Sequence, residues 1–437
     1  MTYTLFDNQQ NMMPCIAGKV RVLVTIIAGI ILCLFANVTA TMASTEAVFK
    51  QYQDRLLQIR IVDKTTNSKS TIGSGFFIDD NGTIATNYHV ISKHVFEPKQ
   101  YRIEYVNSDG EVHDADLLHI DVIHDLALLN GDASDTPFLK ISNQSLAKGL
   151  RIYTLGNPLD LGMTIVEGTY NGITQDTMHE RILLSGALNP GMSGGPSVIE
   201  DGSVVGINVA TAGNSIGFLV PQQFLRQLAQ RAKETKPDNF LDVIREQLSK
   251  NQDKYLTELM SQPFPTKLLG QYTVPTKLAD FINCWGDSKD GSAPYRKSND
   301  YCATKNNIYI NSYLNTGTIR YTHIHFEDKK MGKFRFYNLI GSYFESPSTS
   351  LSSSKDDFSE YSCKTDYVVH HTIKFKAAFC LRQYKKFEGL YDMVLTAATL
   401  NEDDKSLVTT LVLSGVSYDN AVNFSKHYLG GFEWKRP

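Results

Sequence analysis

Positive charge is in no excess in this chain. Its 43 Lys and Arg face 46 Asp and Glu, the formal net charge is −3, and no basic run stands out. A nucleic-acid partner is therefore not expected, since phosphate binding rests on clustered cations. Cysteine is also sparse, with six in 437 residues and no Cys-x-x-Cys spacing, so the usual structural zinc pattern is missing. No apolar run reaches the ~20 residues that cross a bilayer comfortably. No internal repeat recurs at a fixed period, which argues against solenoids and propellers. With 20% charged and 42% hydrophobic residues, the balance is that of a folded globular protein, and disorder, collagen and coiled coil are excluded for the chain as a whole. At about 150 residues per domain the length implies roughly two to three domains.

The apolar run that does stand out is Val22 to Ala36, interrupted only by Thr25 and Gly29, preceded by Lys19 and Arg21 and followed by small residues. It reads as the core of an export signal within residues 1–43, with candidate cleavage sites after Ala40 or Ala43. The competing reading is an uncleaved membrane anchor through residues 20–42. Both put the body of the chain outside the cytosol, periplasmic or secreted in a bacterium, and inner-membrane anchored if the signal is retained. Cys15 and Cys33 belong to this segment, which leaves Cys284, Cys302, Cys363 and Cys380. An even number of cysteines in an oxidising compartment points to disulfides. Three pairings are open, and the sequence-near one, Cys284 with Cys302 and Cys363 with Cys380, is preferred because short loops close easily.

From Glu46 to about Pro221 short β-branched and apolar runs are cut by Gly, Asn and Asp. Gly75 to Ile78 and Thr83 to Val90 flank Asp-Asp-Asn-Gly, a hairpin signature. Further runs, such as Leu126 to Leu129 and Arg151 to Leu155, predict an all-β barrel or sandwich over residues 46–235. After Pro221 the period becomes helical: Phe224, Leu225, Leu228 and Ala232, then Leu241, Ile244, Leu248, Tyr255 and Leu259. The second of these helices is expected to be a linker over residues 236–262. Residues 263–437 read as a β-rich α+β domain, with hairpins at Ile308 to Leu314 with Ile319 to Phe326, and at Leu390 to Leu400 with Leu407 to Val416. Ser417 is placed to cap a short helix from Tyr418 to His427, and Ser346 to Ser354 reads as a loop.

Three segments carry chemistry, in the order His, Asp, Ser: Thr86-Asn87-Tyr88-His89-Val90 after Gly73-Ser74-Gly75-Phe76, then Asp125-Leu126-Ala127-Leu128-Leu129, then Asn189-Pro190-Gly191-Met192-Ser193-Gly194-Gly195-Pro196. A serine hydroxyl is a poor nucleophile at neutral pH unless a base takes its proton, and the base needs a carboxylate to hold its tautomer. His89 is the candidate base, Asp125 its orienting carboxylate and Ser193 the nucleophile. Asp121, four residues earlier, is the alternative carboxylate. The backbone N–H groups of Gly191 and Ser193 are the candidate oxyanion donors.

These segments, on a β-rich background behind an export signal, resemble the chymotrypsin-like (trypsin-like) serine proteases, most closely the HtrA (Deg) type, over roughly residues 50–230. The resemblance implies a double β-barrel and a serine endopeptidase acting on proteins or peptides through an acyl-enzyme, in quality control or processing, with no cofactor. A non-catalytic peptide- or unfolded-protein-binding module on the same fold is the alternative. Met192 stands where zymogen-activated relatives carry an Asp that pairs with a freed amino terminus. Ala187 stands where trypsin-type enzymes carry an acidic residue. With Val209 and Ala210 on the opposing wall, a small or medium apolar P1 residue is expected, and Asn208 to Ala210 would pair with substrate backbone. The PDZ pattern usual after an HtrA protease is not recognisable in residues 236–437, where recruitment, inhibition and surface attachment are open roles. His323 and His325 share a strand face and, with His370 or His371, form a weak metal candidate; ordinary surface histidines are the preferred reading, and no metal is expected.

Overall fold

Strand alternation closes twice on itself. The computed structural model describes residues 44–435 except 175, 214, 290, 291, 346–350 and 352–354, and the side chains of Ala210 and Ala212. The segment read as an export signal, with Cys15, Cys33, Ala40 and Ala43, and most of the serine-rich stretch lie outside the described residues. After a short helix α1 (Thr45–Tyr52) come β1 (Leu56–Asp63), β2 (Ser68–Phe77), β3 (Thr83–Thr86), helix α2 (Tyr88–Phe96), β4 (Tyr101–Val106), β5 (Val112–Asp121) and β6 (Leu126–Asn130). These six strands form a closed antiparallel barrel in the order β1-β2-β3-β6-β5-β4. A second closed barrel follows: β7 (Arg151–Gly156), β8 (Thr164–Ile173), β9 (Ile182–Ser185), β10 (Pro196–Val198), β11 (Val204–Gly213) and β12 (Ile216–Pro221). Closure leaves no free sheet edge. Two six-stranded barrels in sequence are the chymotrypsin-like architecture.

The strand expected to run from Thr83 to Val90 stops at Thr86, and α2 begins at Tyr88. Asn87 is extended (φ −86°, ψ 149°), and the helix start is held by a carboxylate from a distant segment, which no local pattern announces.

Helices α3 (Gln222–Glu234) and α4 (Phe240–Met260) follow at the predicted periodicity. Ile244 and Leu248 of α4 join the first barrel's core, whereas Tyr255 and Leu256 join the core under the C-terminal sheet. That region contains β13 (Thr266–Leu269), β14 (Tyr272–Pro275), β15 (Ile282–Lys289), β16 (Tyr295–Thr304), β17 (Ile308–Asn311), β18 (Leu314–Thr316), β19 (Ile319–Asp328), α5 (Lys333–Glu345), β20 (Ser362–His370), β21 (Ile373–Gln383), β22 (Tyr391–Thr399), β23 (Lys405–Val416), α6 (Tyr418–Gly430) and β24 (Glu433–Trp434). Seven strands form one sheet in the order β15-β16-β19-β23-β22-β21-β20. Successive side chains face opposite sides of a strand. Val408 and Ala398 therefore pack under α5, and Leu407 and Ala397 on the side of α6. Ser417 caps α6 by accepting from the Asn420 N–H at 3.2 Å.

Cys284–Cys302 and Cys363–Cys380 are bonded, each pair directly opposite across an antiparallel register. The β22–β23 hairpin forms as expected. The hairpin expected around Asn315 to Thr318 does not: β17 pairs with β18, and β19 pairs with β16 and β23. The preferred reading of surface histidines is corrected at two positions. His323 is 0% and His325 6% exposed, and both His323 nitrogens are engaged, Nδ1 with Thr409 Oγ1 at 3.0 Å and Nε2 with the Pro275 carbonyl at 2.8 Å. His370 lies on the sheet's edge strand β20, with three strands between it and β19. Among the described residues no His, Cys, Asp or Glu group suits a metal, and no helix is long and apolar enough to cross a membrane.

The β17–β18 hairpin docks on α2 of the first barrel. Ile308, Ile310 and Leu314 share one buried core with Tyr88, Ile91 and Val95. Residues Thr45–Pro437 form one compact unit.

Candidate active site

His89 sits in the first turn of α2, and Asp125 in the turn between β5 and β6. Asp125 takes a left-handed backbone (φ +63°), which Asp tolerates better than most residues because its short side chain bonds locally. This turn aims both carboxylate oxygens at one target: Oδ1 accepts from the His89 backbone N–H at 2.8 Å, and Oδ2 meets His89 Nδ1 at 2.6 Å. The carboxylate thus caps the helix and fixes the ring together. Asn87 Nδ2 donates to the Asp125 carbonyl at 2.7 Å and braces the same turn.

Burial alone would lower the His89 pKa, but the charge of Asp125 and its hydrogen bond outweigh this and raise it. With Nδ1–H committed to the carboxylate, Nε2 is the acceptor of the neutral ring. Among the described residues it makes no hydrogen bond.

Asp121 is occupied elsewhere. Its carboxylate takes the His124 N–H and Nδ1, each at 3.0 Å, and Arg231 Nη2 at 2.7 Å. Burial would raise its pKa, yet His124 and Arg231 hold it well below the usual carboxylate range.

The Ser193 turn is pressed against the segment that leads to His89. Ser74 N–H donates to the Ser193 carbonyl at 2.8 Å, and Ser74 Oγ donates to the Gly191 carbonyl at 2.7 Å while accepting from Asn157 N–H at 2.9 Å. Gly194 has φ +86°, and a Cβ there would lie 2.3 Å from both the Ser74 carbonyl and Thr86 Oγ1. Gly191 has φ +96°, and a Cβ would lie 2.4 Å from the Asn157 carbonyl. Only glycine permits both the conformation and the approach. Among the described residues nothing accepts from the N–H of Gly191 or Ser193, and the Ser193 hydroxyl is also unengaged. Among the described residues two donors and a hydroxyl are therefore unspent on a turn packed against the Thr86–Asn87 segment that leads to the carboxylate-held imidazole, and these are the groups that acyl transfer needs.

The substrate-wall expectations fare unevenly. Ala187 is exposed and Val209 half-buried; Ala210 contributes backbone to β11, and its side chain lies outside the described residues. Asn208 is corrected: it is 1% exposed, and its groups are all used internally. Its N–H donates to the Gly195 carbonyl and its carbonyl accepts from Gly194 N–H, each at 2.9 Å. Its Nδ2 donates to the Leu155 carbonyl at 2.9 Å, and Oδ1 accepts from Ser197 Oγ at 2.8 Å. Asn208 is a strut beneath the serine turn and has no backbone group left for a substrate. Two cavities of about 950 and 980 Å³ border Arg231 and include none of His89, Asp125 and Ser193.

Sequence reasoning missed Ser74 and Asn87 as supports, although both lie inside quoted motifs. It also missed Tyr309, which no local signal marks: the Tyr309 ring meets the His89 ring edge-to-face, centroids 6.1 Å apart at 78°.

Residues 73–207 match the trypsin-like peptidase domain family. The chain is 29% identical to the serine protease HTRA1 of Xenopus laevis over 46% of this chain and 46% of that protein. It is 30% identical to a probable periplasmic serine endoprotease DegP-like of Chlamydia muridarum over 36% and 32%, and 33% identical to the mitochondrial serine protease HTRA2 of Drosophila pseudoobscura pseudoobscura over 38% and 40%. A crystal structure of the serine endoprotease from Yersinia pestis aligns over 44% of this chain and 66% of that chain, with 25% identity and TM-score 0.38. The chain spans less than half the length of each of these curated relatives. The family match is confined to residues 73–207, and over that part of the chain the protein is similar to the trypsin-like peptidase domain family and to proteases named HTRA and DegP-like.

Proposed function

We propose that the protein is an exported serine endopeptidase, with residues 46–235 as its protease domain, 236–262 as linker and 263–437 as an accessory domain. The observation that carries this reading is the His89–Asp125 pair, together with a serine turn packed on the Thr86–Asn87 segment whose two N–H donors are unspent among the described residues. Ser193 Oγ attacks the peptide carbonyl carbon as its proton passes to His89 Nε2. The resulting oxyanion is received by the N–H groups of Gly191 and Ser193, each worth about 3–4 kcal/mol in the transition state. The C–N bond then breaks as His89 protonates the leaving amine, and water, deprotonated by His89, hydrolyses the acyl-enzyme. Asp125 stays ionised throughout and stabilises the imidazolium.

The apolar run from Val22, the two disulfides and the periplasmic description of the Chlamydia relative support export to the periplasm or beyond, where misfolded or precursor proteins are the substrates.

Purified protein is expected to hydrolyse casein and to be labelled by a fluorophosphonate at Ser193. The competing reading, a non-catalytic peptide- or unfolded-protein-binding module, draws on the Ser193 hydroxyl being unengaged among the described residues, and an unlabelled folded protein would favour it. A peptide library is expected to be cut after small or medium apolar residues; cleavage mainly after Lys or Arg removes the assignment of Ala187 and Val209 to the pocket.

The base works only when neutral, and Asp125 favours its charged form. The acid limb of kcat/KM is therefore expected at a half-point above the ~6.5 of an ordinary histidine, and Asp125→Asn is expected to move it down. Stability runs the other way: what the raised His89 pKa contributes is full below the unfolded value and is lost as pH rises through the folded one. An acid limb at or below that of free histidine would contradict the assignment.

A further inference from the structure

The β17–β18 hairpin reaches the His89 turn from the far end of the chain. Ile308 and Ile310 are buried in the core shared with α2, and Tyr309 between them is partly buried and packs against that core. Its ring stands edge-to-face to His89 and, at 6.4 Å and 67°, to Tyr88. Its hydroxyl lies 3.3 Å from Ser92 Oγ, which itself donates to the His89 carbonyl at 3.2 Å. Tyr88 OH donates to the Ile310 carbonyl at 2.7 Å, so the strand is fastened to the helix beside the ring it braces.

An imidazole that serves as base and then acid changes its Nε2 partner twice per turnover and must keep Nδ1 on its carboxylate throughout. Asp125 holds only one edge of the His89 ring, and 29% of the side chain is exposed. A displacement of about 1 Å in such a group costs on the order of 100-fold in rate.

We propose that Tyr309 is a positioning residue for His89, so that the C-terminal region completes the active site of the protease segment. This inference rests on the endopeptidase reading and adds to it a dependence on the docked hairpin.

The test uses the full chain with Tyr309→Leu, which keeps apolar bulk without the ring, and Tyr309→Phe, which keeps the ring without the hydroxyl. Tyr309→Leu is expected to lower kcat by roughly 10- to 100-fold with KM nearly unchanged and with thermal unfolding still cooperative, and Tyr309→Phe to recover most of the loss. In Ser193→Ala protein, the far-downfield NMR signal of the His89 Nδ1 proton, which reports the bond to Asp125, is expected to broaden in Tyr309→Leu and to persist in Tyr309→Phe. A Tyr309→Leu chain with wild-type kcat overturns the proposal. If the wild-type chain neither cleaves peptides nor reacts at Ser193, the endopeptidase reading fails instead. The NMR signal still decides the contact in that case, and an unchanged signal in Tyr309→Leu overturns it.

Discussion

Ser193→Ala is expected to cut kcat for peptide hydrolysis by on the order of 10⁶-fold, with only the contribution of binding and the oxyanion donors left. The loss is chemical and not structural. The Ser193 hydroxyl is bonded to nothing among the described residues, whereas the turn that presents it is held by backbone groups: its own carbonyl on Ser74 N–H, and Gly194 N–H on the Asn208 carbonyl at 2.9 Å. Removing one oxygen leaves every one of those bonds in place, so unfolding stability should change by no more than about 0.5 kcal/mol. Casein turnover, fluorophosphonate labelling and a thermal melt on the same two proteins check this. Retained turnover in Ser193→Ala would place the chemistry elsewhere, and a collapsed melt would mean that the hydroxyl holds the fold.

Ending the chain after Lys236 is expected to yield no soluble, folded protease, although the family match stops well before that point. The first barrel's own strands cover α2 only together with segments beyond Lys236, and Tyr88, Ile91 and Val95 are 0%, 0% and 8% exposed in the whole protein. What covers that core includes Ile244 and Leu248 of α4, Ile308, Ile310 and Leu314 of the hairpin, and Phe358, Tyr384, Phe387 and Leu390. Each fully buried side chain of this kind contributes about 1.5–3 kcal/mol, so their joint removal rivals the roughly 5–15 kcal/mol that is the whole stability of a typical protein. Exposed patches of this size also drive aggregation. Solubility on expression, far-UV circular dichroism and binding of a hydrophobic dye would report the outcome. A soluble truncated chain with full activity would remove both this packing argument and the role assigned to Tyr309. Inhibition by the C-terminal region predicts instead a soluble truncated chain more active than the full chain, so one protein separates activator from inhibitor.

Local pattern was enough for several features of this protein. The glycines around Ser193 announce a turn because Gly191 and Gly194 must take positive φ, and that requirement is written in the residues themselves. The helices from Gln222 and Phe240, the cap at Ser417 and the sequence-near cysteine pairs were equally legible, since each depends on contacts within a few turns or one hairpin. Other features were decided only when distant segments met. Whether Asp121 or Asp125 faces His89 depends on a left-handed turn at Asp125 and on the claim of Arg231, 110 residues away, on Asp121. Asn208 became a strut because the serine turn closed over it, and His323 became a core residue because the sheet and α6 enclosed it. Above all, no period or motif marks Ile308 to Ile310 as partners of Tyr88. Their meeting follows from which apolar faces remain open after the barrels close and the seven-stranded sheet forms. That is a property of the whole packed chain, because burial is non-directional and takes whatever complementary surface the topology brings near.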